Sequence, residues 1–114
     1  MAMAFSLRFK GIDDTAELHQ DIERRLRLGL ARFAGEVSRV NVWVEDTNGP
    51  QGGIDKMVRM EVRGVRFEPI VIEEHDTDVW PAVERAADRL ARGLARSVER
   101  NEAYRLRTGR GHDN

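Results

Sequence analysis

No cysteine occurs among the 114 residues. Disulfides and thiolate-held metals are therefore excluded, and stability has to come from packing. No apolar run approaches the roughly 20 residues needed to cross a bilayer. The opening Met1-Ala2-Met3-Ala4-Phe5 also lacks the basic stretch and long apolar core of a secretion signal. A cytoplasmic protein with no membrane partner is expected. Aromatic residues make up only 6% of the chain, so there is no row of rings for stacking single-stranded bases. Neither a nucleophile motif nor a glycine-rich phosphate cradle is present, which argues against an enzyme, a cofactor or a small-molecule substrate. Net charge is nearly absent too: 19 basic residues stand against 20 acidic ones, leaving -1. Any attraction for nucleic acid must come from how the charges are segregated.

The apolar residues that are present fall into clear periods. Phe5, Leu7 and Phe9 alternate with polar neighbours, as do Val40, Val42 and Val44, then Val58, Met60 and Val62. Each set reads as a strand with one buried face. A further run, Phe67 to Glu73, contains Pro69, which suits an edge strand because proline cannot donate to a central ladder. Trp43 alternates away from the valines and should face the side without helices. Between the second and third strands, Asp46 to Gly53 is dense in turn formers and long for a hairpin.

Two stretches carry the helical period. Asp14-Thr15-Ala16-Glu17 has capping-box spacing, and Leu18, Ile22, Leu26, Leu30 and Phe33 follow at helical intervals, predicting a helix to about Phe33. Asp78 can cap a second helix, with Pro81 in its first turn, that runs to about Tyr104. The order β-α-β-β-β-α implies an α+β fold in which both helices cover one face of a four-stranded sheet. One domain is expected over residues 1–107, with a disordered tail at 108–114.

Charge is segregated most clearly on the second helix. Arg85, Arg89, Arg92, Arg96 and Arg100 fall within an arc of roughly 80° at 100° per residue. Val83, Ala86, Ala87, Leu90, Leu94 and Val98 occupy the opposite side, and Glu84, Asp88 and Glu99 a flank. The four like-charged pairs these five arginines make at spacings of three or four cost the helix of order 1–2 kcal/mol in total. Asp88, beside Arg85 and Arg92, and Glu99, beside Arg96, offset part of that cost. On the first helix Arg24, Arg27 and Arg32 lie away from the apolar face and Arg25 at its margin, mixed with Glu17, Asp21 and Leu28. Arginine suits phosphate because its planar fork donates two parallel hydrogen bonds and keeps its charge. A solvated face with no partner would show the same pattern. Glu73-Glu74-His75-Asp76 contains possible metal ligands, but one local cluster rarely completes a coordination shell, and a solvated turn leading into a helix N-terminus explains the acids better. His19 and His112 have no visible partners.

The chain resembles the ribosome hibernation-promoting factor and ribosome-associated inhibitor family, also known as sigma-54 modulation proteins, from Phe5 to about Arg100. The resemblance is carried by Ile70-Val71-Ile72-Glu73-Glu74-His75-Asp76-Thr77-Asp78-Val79-Trp80-Pro81-Ala82-Val83, similar to the family's acidic turn and aromatic-bearing helix start. Asp88-Arg89-Leu90-Ala91-Arg92-Gly93-Leu94 then follows its Asp-basic-Leu-x-x-x-Leu pattern. The resemblance implies a fold like that of double-stranded-RNA-binding domains, docked by its helices on ribosomal RNA of the small subunit. It also implies inhibition of translation and ribosome hibernation under stress. By position it marks Arg89, Arg92 and Arg96 on the second helix, Arg25 and Arg32 on the first, and Lys10 after the first strand. Phe9-Lys10-Gly11 departs from the Gly-basic-His or Gly-basic-Asn of many members. A different reading keeps the fold without RNA affinity: a homodimerising or partner-binding module that associates through the sheet face near Trp43.

Overall fold

The computed structural model describes residues 3–47 and 53–112, with side chains through 103 and at 106. Four strands form one sheet in the order β1 (Ala4–Lys10), β2 (Val37–Asp46), β3 (Lys56–Gly64) and β4 (Ile70–Asp76). β1 runs parallel to β2, because the connection between them is a helix, α1 (Ala16–Gly29). The other two neighbouring pairs are antiparallel. The second helix, α2 (Val79–His112), follows β4. This is the expected β-α-β-β-β-α arrangement.

Alternation decides what each strand buries. Val40, Val42 and Val44 of β2 pair in register with Val62, Met60 and Val58 of β3, and all six are fully or almost fully buried. Each such side chain contributes about 1.5–3 kcal/mol by leaving water. Phe5, Leu7 and Phe9 on one edge strand, and Ile70 and Ile72 on the other, pack against this centre while keeping part of their surface exposed. The helices close the core from one side with Ile22, Leu26 and Leu30, and with Ala82, Val83, Ala86, Ala87, Leu90 and Leu94. At the end of β3 the backbone passes so close to its neighbours that a Cβ on Gly64 would lie 2.1 Å from the Glu36 carbonyl oxygen and 2.3 Å from the Phe67 ring. Only glycine fits there.

Several boundaries differ from the sequence reading, each for a physical reason. α1 ends at Gly29, and Ala31–Phe33 is a separate 3-10 turn, so the chain bends after glycine while Leu30 and Phe33 still reach the core. The N-cap is Thr15, one residue later than the Asp14-to-Glu17 spacing suggested; its hydroxyl accepts from the Leu18 N–H at 3.1 Å. His19 has partners after all, the Asp14 carboxylate and the Phe9 ring, 4.8 Å away between centroids. The fourth strand begins at Ile70 and runs through Glu73-Glu74-His75-Asp76, which is strand and not turn. α2 continues past Tyr104 to His112, into the stretch expected to be a tail, since no proline interrupts it. Residues 48–52 of the long β2–β3 loop, and 113–114 of the tail, lie outside the described residues.

Candidate nucleic-acid interface

Once β4 is a strand, its acids alternate between the two faces of the sheet. Glu74 and Asp76 point to the helix side, where Arg85 and Arg89 of α2 come down to meet them. Arg85 donates from Nε to Glu74 Oε1 at 3.1 Å and from Nη2 to the His75 carbonyl at 2.9 Å, and Nη2 also stands 2.9 Å from Asp76 Oδ2. Arg89 donates to Glu74 Oε2 and to the Glu73 carbonyl. These two arginines belong to the stripe by position, yet they are spent on the sheet edge.

The carboxylates register the same contacts. Arg89 first, and Arg85 second, hold the Glu74 carboxyl below the ordinary glutamate value of 4.5, against the burial that pushes it up. Asp76 is likewise held down, chiefly by the Asp78 backbone N–H and next by Arg85. A carboxyl whose folded pKa is depressed stabilises the fold above its unfolded value, and that contribution is lost as pH falls through the folded value. Stability is therefore expected to decline below pH 4.5, the ordinary glutamate value. Glu74→Gln should make that decline shallower in denaturation series run from about pH 6 to about pH 3. A slope identical to the parent's would show that the Glu74 pairs contribute nothing.

Arg25 is also committed, although the sequence placed it among the RNA contacts. From α1 it reaches Glu84 Oε1 at 2.8 Å and Asp88 Oδ1 at 2.6 Å on α2, with only 23% of its side chain exposed. It fastens one helix to the other, and it takes up the Asp88 that was expected to balance Arg85 and Arg92. The pairs are partly solvated, so Arg25→Ala should cost no more than about 0.5–1 kcal/mol. In a double-mutant cycle with Glu84→Ala the coupling should be of that order. Additive losses in the cycle would show that Arg25 does not fasten the helices through Glu84.

The other candidates sort by their neighbours. Arg24 lies 3.8 Å from Asp21, and Arg27 is bonded to Glu23 while its guanidinium sits 4.6 Å from the centre of the Phe5 ring. Arg32 lies over Phe33 at 4.7 Å with no ion pair among the described residues. Lys10 is remote from this layer: it follows Phe9 onto the opposite sheet face and approaches Glu45 at 3.4 Å. Arg92, Arg96 and Arg100 are exposed and make no hydrogen bond or ion pair among the described residues. The structure thus leaves three consecutive members of the stripe with their donors free. The sequence reading overlooked Glu74 and Asp76 as the groups that divide it. The alternation begun by Ile70 and Ile72, carried two steps further, places both acids on the helix side.

An acid-clamped two-helix layer on a mixed four-stranded sheet, with free arginines along one helix, defines an α+β domain with a cationic helix surface. The chain belongs to the sigma 54 modulation protein / S30EA ribosomal protein family, whose model matches residues 5–102. Among solved structures it is similar to a ribosomal subunit interface protein from Coxiella burnetii, with 18% identity and a TM-score of 0.67 over 82% of this chain and 96% of that one. It is also similar to the N-terminal domain of Protein Y from Thermus thermophilus, with 22% identity and a TM-score of 0.68 over 84% and 98%. At these identities the likeness speaks for the fold. No curated protein matches the chain.

Proposed function

We propose that this protein is a cytoplasmic ribosome-binding factor that docks its helix layer on ribosomal RNA of the small subunit, inhibits translation and promotes ribosome hibernation under stress. The observation that carries this reading is the set Arg92, Arg96 and Arg100, exposed on one helix face and without acidic partners among the described residues. An RNA backbone is the partner such a set fits, since each guanidinium offers a paired donor to phosphate and releases bound counterions on contact. Family membership and the ribosomal subunit interface protein among the structural neighbours support it.

Arg24, Arg27 and Arg32 can add contacts from the first helix. Arg85 and Arg89 must first leave Glu74 and Asp76, so they contribute less. A row of arginines along one helix face suits recognition of RNA by shape and backbone. The role is one of occupancy and not of catalysis. The rival reading, a module that pairs with its own copy through the sheet face, meets an electrostatic objection. Arg8, Lys10, Arg39, Arg59 and Arg63 share that face with Glu45, Glu61 and Glu73, so two copies would meet with like charge in excess. Co-sedimentation of the purified protein with isolated small subunits tests the proposal. Pelleting at low salt supports it, and full recovery in the supernatant at low salt contradicts it.

A further inference from the structure

The sheet face that carries no helices holds a second cationic feature, built from three strands and distinct from the arginines of α2. In register across these strands lie Arg8 of β1, Trp43 of β2 and Arg59 of β3, flanked by Glu73 of β4. Beside them Lys10, Glu45 and Met57 form the next row. Together these rows line a groove of about 350 Å³ with Trp43 on its wall, half-buried and open on the groove side. That volume is at the lower end of the range for small-ligand pockets.

The acids of this face are all engaged, but its cations are not. Glu73 accepts from Arg59 at 2.9 Å and contacts His75 at 3.0 Å, Glu61 accepts from Arg63 at 3.1 Å and from Asn41 at 2.9 Å, and Glu45 holds Lys10. Arg8, directly across from Trp43, and Arg39, two residues before Asn41 on β2, have no ion-pair partner among the described residues. A planar aromatic wall next to an uncompensated guanidinium suits a ligand with a flat π-face and an anionic group a short distance away. A nucleotide within an unpaired strand has both. An acidic peptide would satisfy Arg8 and leave Trp43 unused, and a second copy would bring the same positive excess.

We propose that the open sheet face binds single-stranded RNA, one base stacking on Trp43 and its phosphate held by Arg8. The site is independent of the α2 surface and needs only one ring, so the scarcity of aromatics does not preclude it. The chain has two tryptophans, and Trp80→Phe leaves Trp43 as the sole indole reporter. Titration of that variant with hexaadenylate at low salt is expected to quench Trp43 emission saturably. Anisotropy of a dye-labelled hexaadenylate is expected to show binding weakened roughly tenfold by Trp43→Leu, which keeps apolar cover on the sheet, and similarly by Arg8→Ala. In an Arg92→Ala/Arg96→Ala background, which removes phosphate contacts from α2, adding Arg8→Ala should still weaken the hexamer roughly tenfold. Circular dichroism melts establish that each variant is folded; Arg8→Ala, altering an exposed side chain, carries the test if Trp43→Leu does not fold. Unchanged affinity in Arg8→Ala overturns the proposal. So does loss confined to the Arg92/Arg96 variant, equal competition by hexaglutamate, or a parent dimer that Trp43→Leu converts to monomer.

Discussion

Leu90→Ala is expected to destabilise the protein by about 2–5 kcal/mol, the range for truncating a buried leucine when the surrounding core relaxes only in part. Leu90 is fully buried in the layer between α2 and the sheet, among Val83, Ala86, Ala87 and Leu94. Small alanines beside it have no side-chain freedom with which to fill the gap. Against a total stability of about 5–15 kcal/mol, the loss would lower the melting temperature by about 8–20 °C at roughly 4 °C per kcal/mol. Urea denaturation monitored by circular dichroism measures it directly. A cost under about 1 kcal/mol would mean that α2 does not rest on the sheet through this face.

The positions that support this prediction were legible because one period governs each element. Strand alternation at Val40 to Val44 and Val58 to Val62 has a single solution that buries valine, and a shift of one residue would turn every side chain to the wrong face. The helical spacing of Val83, Leu90 and Leu94 has the same force. Trp43 followed from its neighbours: with the valines facing the helices, it had to face the other way.

What escaped the sequence depended on partners distant along the chain. Glu73-Glu74-His75-Asp76 looked like a solvated turn because four polar residues in a row carry no apolar alternation. It is strand because Arg59 answers Glu73 from β3, while Arg85 and Arg89 answer Glu74 from α2. Those pairings join residues 11 to 15 positions apart, beyond any local period. Arg25 shows the same limit across 59 residues, in its bond to Glu84. A helical wheel places five arginines on one side of α2 and cannot say which of them already have partners. That division, two engaged and three free, narrows the candidate site. It also makes the overall charge of -1 a poor guide, since many of the acids are taken up in pairs within the protein.

The second large effect is expected at the three free arginines. If each makes one charge-assisted contact with phosphate worth about 1–3 kcal/mol, the Arg92→Ala/Arg96→Ala/Arg100→Ala variant loses about 3–9 kcal/mol of binding. Its stability should stay within about 0.5 kcal/mol of the parent, because these side chains are exposed and their removal relieves like-charge repulsion. Arg85→Ala is the internal comparison: that residue has Glu74 and Asp76 to leave before it meets RNA, so its removal should weaken binding less than removal of any of the three.

Salt dependence separates phosphate contact from every other cause of weakened binding. Each phosphate contact adds about 0.7 to 0.9 to the slope of log affinity against log salt. The measurement that bears most directly on the proposed function is therefore the affinity of parent and triple variant for isolated small ribosomal subunits across a salt series. The account predicts a steep slope for the parent and one shallower by about 2 to 3 for the variant. Parallel slopes and equal affinities for the two proteins would contradict it, and would leave the free arginines of α2 as a solvated surface.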